Sequence, residues 1–425
     1  MTGAALSIAC PCGQPSAELF GVAEAVARLS ALAAPTGETE LLPLSACAGR
    51  VAAMTCRAAQ PMPFFDNSAM DGFAVSLADF AGGGPRTLPV CGTAAAGQPG
   101  IDRLVPGACM RIFTGAPIPP GADSVAPVEQ VVERLGRVTF GEPPRRGAHI
   151  RRMGSDIAHN EVLVAAGTRI SARHVGLLAA NGYSSVTVNR RPRVGIFSTG
   201  DELVGRGQGR GAAQLHDANR PMLLMMAAQM AADTEDLGIV PDDFAEMRRF
   251  LDLHACRFDL LISSGAVSAG GRDFLKSAFL SAGGLIDSWK IALKPGKPVM
   301  FGRIDNSVFL GLPGNPMAAW IGFELFGRAA IDRISGAAAR PAHPVRAVAE
   351  NPMPCASGRR EYVPVRVVSQ TLRGQPRIAR VGHGGSASLQ PLCQADGVAV
   401  VDATTGDVDA GGELDFLPFV QGVLQ

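Results

Sequence analysis

A multidomain α/β protein organised around a doubly wound sheet is predicted by three observations within residues 192–335. Apolar runs at 194–197, 258–262 and 308–310 each stop at a polar loop, and a helix-compatible segment follows each. The loops read Ser-Thr-Gly-Asp-Glu-Leu at 198–203, Ser-Ser-Gly-Ala-Val-Ser-Ala-Gly-Gly-Arg-Asp at 263–273 and Gly-Leu-Pro-Gly-Asn-Pro at 311–316. Short apolar runs alternating with helical patterns read as βαβ units around a parallel sheet. Loops leaving the carboxyl ends of such strands gather on one edge, where ligands bind. Glycines admit close backbone approach and a helix N-terminus favours negative charge, so this edge suits an anion.

The 425 residues exceed one ordinary core, so two to four domains are expected. A composition 47% hydrophobic and 18% charged is that of a core-rich globular chain. A net charge of +1 gives no electrostatic case for nucleic acid or an acidic membrane surface. No apolar run reaches membrane-spanning length, and a cytoplasmic location is the expectation. The nine cysteines have an odd count and no framework spacing, which suits a reducing compartment. Cys10 and Cys12 form the one close pair and read as incidental to an N-terminal tail.

In chain order, residues 1–15 read as that tail, and Leu19, Val22, Val26 and Leu29 repeat at helical spacing behind Ser16 as N-cap. A second short helix is expected at 44–53. Pro/Gly punctuation with strand candidates at 87–92, 109–113, 124–132 and 136–140 makes 56–148 a β module. A basic loop at 145–158 leads to a helix over 171–180, with Ser171 as N-cap and Asn181-Gly182 as its stop, and then to a strand at 185–188. Asn219 reads as another N-cap with Pro221 in the first turn. Leu237 to Val240 ends in Pro-Asp-Asp, and a helix is expected at 272–282. Lys294 and Lys297 flank a Pro-Gly turn, either solvated or aimed at one anion. Beyond a linker at 341–344, β-branched runs at 362–368, 378–381, 397–401 and 414–419 predict a last all-β module.

Six segments, taken together, resemble the molybdopterin molybdenumtransferase family, to which the C-terminal domain of gephyrin is related. They are Phe-Asp-Asn-Ser-Ala-Met-Asp-Gly-Phe-Ala-Val at 65–75, Ile-Phe-Thr-Gly-Ala-Pro at 112–117, the loop at 198–203, Ile-Ser-Ser-Gly at 262–265, Ala-Leu-Lys-Pro-Gly-Lys-Pro at 292–298 and the loop at 311–316. The resemblance implies a composite N-terminal domain from 16–55 and 149–190, an inserted β module at 56–148, a molybdopterin-binding α/β domain at 191–335 and a C-terminal β-barrel at 341–425. It also implies a transferase of molybdenum cofactor biosynthesis that inserts molybdate into adenylyl-molybdopterin and releases AMP, with Mg2+ or another divalent cation. Its expected partners are these small molecules, a second copy completing each site, the molybdopterin adenylyltransferase and recipient molybdoenzymes. Neither nucleic acid nor membrane is expected.

The residues the resemblance singles out fall into three groups. Catalytic roles fall to Asp66, Asp71, Asp156, Glu202, Asp242 and Asp273, with Asp201, Glu202 and Asp273 as metal ligands, because a hard cation needs carboxylate oxygens. Substrate-binding roles fall to Ser68, Thr114, Thr199, Gly200, Asp217, Asn219, Ser263, Ser264, Gly265, Pro313, Gly314 and Asn315. Backbone N–H groups of the loops at 263–265 and 313–315 are the expected phosphate donors. Lys294, Lys297, Arg359 and Ser386 match the family's molybdate ligands. Departures from the family pattern stand at Ser155, Ala218 and Ala266. They keep open a pterin-binding or scaffold relative without the chemistry, and a tungstate-using variant is a further alternative because the two oxyanions are nearly equal in size and charge.

Overall fold

The computed structural model describes residues 20–98, 102–205, 207–265, 274–339, 343–355, 358–382, 385 and 387–419. The central sheet consists of β1 (Arg193–Thr199), β2 (Asp233–Val240), β3 (Leu260–Ser264), β4 (Leu285–Lys290), β5 (Pro298–Ile304) and β6 (Ser307–Leu312). Their order is β2-β1-β3-β6-β5-β4. The first four pair in parallel, while β5 pairs antiparallel with both β6 and the edge strand β4. The chain leaves β1 for β2 on one side and returns to β3 on the other, so the strand order reverses between β1 and β3.

Both faces of this sheet are covered, and β3 and β6 are buried throughout, as expected of strands between two helical layers. On one face Val194, Ile196, Leu260, Ile262 and Leu310 meet Leu223 and Met226 of α1 (Asn219–Gln229). On the other, Phe197, Leu261 and Phe309 meet Met247 and Leu251 of α2 (Phe244–His254) and Phe279 of α3 (Phe274–Ser281). The Phe309 ring lies 4.8 Å from Phe279 and 6.4 Å from Phe197. Helix α4 (Pro316–Gly322) follows β6 and continues through a wide turn into Arg328–Ile334.

The N-terminal half forms two further cores. Residues 39–43 pair with 185–189 and Cys56–Arg57 with Val162–Val164, bringing Cys47, Ala52 and Cys56 against Leu163, Leu178 and Val188. The helix Val22–Leu32 buries Ala25 and Leu29 in the α/β core instead. Its N-cap is Gly21, and Ser16 lies outside the described residues. The helix expected at 44–53 is a single turn, Leu44–Ala46. Ser171 does cap Ala172–Ala180 in a capping box with His174, and Gly182 follows at φ +81°. The β module is a six-stranded sheet between these segments. The strand expected at 124–132 is two strands there, Ser124–Pro127 and Val131–Arg134, with the turn Val128–Gln130 between.

The C-terminal module closes into a barrel of β7 (Val345–Ala349), β8 (Arg360–Gln370), β9 (Pro376–Arg380), β10 (Gly397–Val401) and β11 (Glu413–Pro418). Neighbours run β8-β9-β7-β11-β10, and β10 pairs back onto β8. Val363, Val365, Ile378, Ala399 and Phe416 fill it. The pair Leu293–Lys294 joins β8 in parallel register, with Lys294 opposite Glu361. That pairing fixes the lysine turn of the α/β domain against the barrel. Among the described residues no helix is long and apolar enough to cross a membrane.

Candidate functional site

A cleft of about 720 Å³ opens at the carboxyl ends of β1, β3 and β6, where the strand order reverses. It is lined by eleven of the sequence-predicted positions: Thr199, Gly200, Glu202, Asp217, Asn219, Asp242, Ser264, Gly265, Pro313, Gly314 and Asn315. Close backbone packing explains the glycine after β3. Gly265 has φ +102°, and a Cβ there would come 2.4 Å from the Thr199 carbonyl oxygen. The expected role of its N–H in phosphate binding needs correction, because that group already donates to the Leu312 carbonyl oxygen at 3.1 Å. Gly265 therefore contributes space, and Pro313 has no N–H to give. Hydroxyls remain: the Thr199 Oγ1, Ser198 Oγ and Ser263 Oγ are buried with no hydrogen-bond partner among the described residues.

The other half of the cleft floor is set by the start of α1. Asn219 is not the N-cap. It lies within the first turn, 7% exposed, and Nδ2 donates to Ser264 Oγ and the Gly314 carbonyl oxygen, both at 2.7 Å. One amide thus ties two strand-end loops together. Because Ser264 Oγ accepts there, its own proton remains available to a ligand. Ala218 occupies the N-cap without a side-chain bond, and Asp217 supplies the missing acceptor, taking the Arg220 N–H at 3.1 Å. The Asp217 carboxylate also receives Arg220 Nε at 2.8 Å, and the same guanidinium reaches Asp236.

Glu202 and Asp242 also line this cleft. The Glu202 oxygens lie over Gly200, 2.7 Å from where a Cβ would sit, and Asp201 accepts the Asp242 N–H at 3.1 Å. Among the described residues no three His, Cys, Asp or Glu side chains form a cluster that could cage a metal. Glu202 and Asp242 on one cleft nonetheless fit a magnesium-like ion, which takes one or two carboxylates and completes its shell with water and substrate phosphate. Asp273, Ser386 and Ala266 lie outside the described residues.

Beside the cleft lies a second cavity, of about 270 Å³, sharing Pro298, Pro313 and Asn315 with it. Lys294 and Arg359 line this cavity, with Glu361, Tyr362 and Arg380 of the barrel. Lys294 Nζ lies 3.0 Å from the carboxylate of Glu361, which is 3% exposed. Burial raises the Tyr362 pKa, keeping that phenol neutral. Arg360 is held away, its Nε donating to Asp402 at 2.8 Å. Lys297 is exposed and lines neither cavity.

The β-module residues line neither cavity. Asp71 accepts the Thr114 N–H at 2.7 Å and its hydroxyl at 2.9 Å, and these bonds, the amide first, lower its pKa. Asp66 accepts the Met153 N–H at 2.8 Å and pairs with Arg152; its pKa is lowered too, chiefly by that N–H. The Ser68 hydroxyl is internal, donating to the Met70 carbonyl oxygen at 2.6 Å, and Asp156 is exposed. Sequence reasoning missed His216 in the larger cleft and Glu361, Tyr362 and Arg380 in the smaller one.

Comparison with known proteins accounts for this layout. Residues 20–182 match a family model described as the MoeA N-terminal region (domain I and II), 195–333 a probable molybdopterin binding domain, and 346–419 the MoeA C-terminal region (domain IV). A molybdopterin biosynthesis MoeA protein from Pyrococcus horikosii superposes with a TM-score of 0.74 at 26% identity, over 95% of this chain and 100% of that one. The molybdopterin molybdenumtransferase 2 of Mycobacterium tuberculosis is 33% identical over 382 residues, 88% of this chain and 93% of the relative. The Haemophilus influenzae molybdopterin molybdenumtransferase is 36% identical over 394 residues, 92% of this chain and 96% of that relative. With its α/β cleft, its closed barrel and most of its length matched in this way, the chain belongs to the molybdopterin molybdenumtransferases, transferases of molybdenum cofactor biosynthesis.

Proposed function

We propose that this chain inserts molybdate into adenylylated molybdopterin and releases AMP, supported by magnesium or another divalent cation. One observation carries the proposal: a polar cleft with carboxylates adjoins a cavity lined by Lys294 and Arg359, and the two share a wall. An adenylyl-pterin lying in the first brings its dithiolate toward an oxyanion in the second. The hydroxyls of Thr199 and Ser264 and the amides of Gly314 and Asn315 hold the phosphoanhydride. Glu202 and Asp242 hold the cation, whose charge offsets that developing on the phosphate. Lys294 and Arg359 bind molybdate, Arg359 through two parallel N–H groups and Lys294 as a point charge, with Lys297 at the rim. Incubation of the protein with adenylyl-molybdopterin, molybdate and magnesium is expected to release AMP. Binding of the adenylyl-pterin with no AMP formed would identify a scaffold instead.

The protein works, in this reading, as a homodimer. Asp66, Asp71, Asp156, Ser68 and Thr114 line neither cavity of their own chain and complete the site of the second copy. Mixing an Asp71→Ala chain with a Glu202→Ala chain is expected to restore AMP release through hybrid dimers that hold one intact site. Hybrids that form and stay inactive would overturn the shared site.

A further inference from the structure

We infer that Arg380 is a further ligand of the bound oxyanion and that, with Glu361, it tunes the smaller cavity to a dianion. The inference rests on the molybdate reading above and adds to it two residues and a charge rule. Arg380 ends β9 and lines the same cavity as the lysine turn. Its Nε is fully shielded from solvent and has no hydrogen-bond partner among the described residues. A buried guanidinium N–H left unbonded is costly, and an oxyanion in the cavity would relieve that cost. The neighbouring Arg360 differs in both respects, being bonded to Asp402 and outside the cavity.

Charge bookkeeping points the same way. Among the described residues, the formally charged groups lining the cavity are Lys294, Arg359 and Arg380 against the carboxylate Glu361, a formal surplus of two positive charges. Glu361 lies in register with Lys294 and 3.0 Å from it, so it holds the ammonium in place as a positioning residue. A carboxylate offers an oxyanion no donor, so Glu361 acts through Lys294. The surplus matches a tetrahedral dianion such as molybdate, whereas a monoanion leaves the cavity with one uncompensated positive charge. Lys297 is exposed, so water and salt screen its contribution.

The test is calorimetric titration of the full-length protein with sodium molybdate and, separately, with perrhenate, a tetrahedral monoanion of similar size. Arg380→Gln is expected to weaken molybdate binding by roughly 10- to 150-fold, the loss of one charge-assisted hydrogen bond, and perrhenate binding by less. Arg380→Lys should fall between it and the parent. Arg366→Gln removes an exposed charge from the same barrel and should change neither anion. Glu361→Gln raises the surplus to three positive charges and should widen the preference for molybdate over perrhenate; a preference that stays the same or narrows would overturn the charge rule. Unchanged molybdate binding in folded Arg380→Gln, with Lys294→Ala weakened, would overturn the role of Arg380 alone. Unchanged binding in both would overturn the molybdate cavity itself. If Arg380→Gln does not fold, parent-like affinity in Arg380→Lys overturns the inference.

Discussion

Glu202→Gln is expected to lower AMP release by a factor on the order of 10²–10³, the typical effect of removing one electrostatic stabiliser from a catalytic site. The substitution keeps the side-chain shape over Gly200 and removes only the charge. Affinity for adenylyl-molybdopterin should change little, since in this reading the hydroxyls and loop amides hold it and Glu202 holds the cation. Manganese binding, followed by its paramagnetic signal, should weaken in the same variant. That readout separates a lost ion ligand from a displaced substrate. A variant that releases AMP at the parental rate would remove Glu202 from the cation site.

The α/β domain was legible because its information is local. Strand-end loops rich in Gly, Ser and Asp announce themselves in consecutive residues, and eleven predicted positions do line one cleft. What stayed hidden depends on tertiary register. Asn219 before Arg-Pro obeys the N-cap rule, yet its partners lie 45 and 95 residues away, and they draw it into the helix. Glu361 stands two residues from Arg359, but its value comes from facing Lys294 across 67 residues, which no local pattern encodes. The barrel strand Val345–Ala349 is only five residues long with an arginine inside it, and it is held by pairing with β11 and β9. The helix Val22–Leu32 was visible as a helix. Which core it serves is decided by Ala25 and Leu29 meeting the α/β sheet, a fact of assembly and not of periodicity.

Arg220→Ala is expected to destabilise the protein by about 3–5 kcal/mol, the effect of stripping one partner from a buried ion pair. The Arg220 side chain is 11% exposed and that of Asp217 only 2%, so the truncation leaves an almost fully buried carboxylate without its counter-charge. Asp236, the second partner, is 41% exposed, and water can take over its share. Asp217 also accepts the Arg220 N–H at the start of α1, which places Asn219 against Ser264 and Gly314. Loosening that turn therefore lowers affinity for the adenylyl-pterin as well as the unfolding free energy. Urea unfolding followed by circular dichroism measures the first effect, and substrate titration the second. A double variant, Asp217→Asn with Arg220→Met, divides them. With no buried charge left to strand, most of the stability should return, because well-packed neutral groups can replace a buried pair. Substrate affinity should recover only as far as the asparagine side chain still caps the helix. A double variant as unstable as Arg220→Ala would show that packing around the guanidinium stem, and not the stranded charge, governs this corner of the cleft.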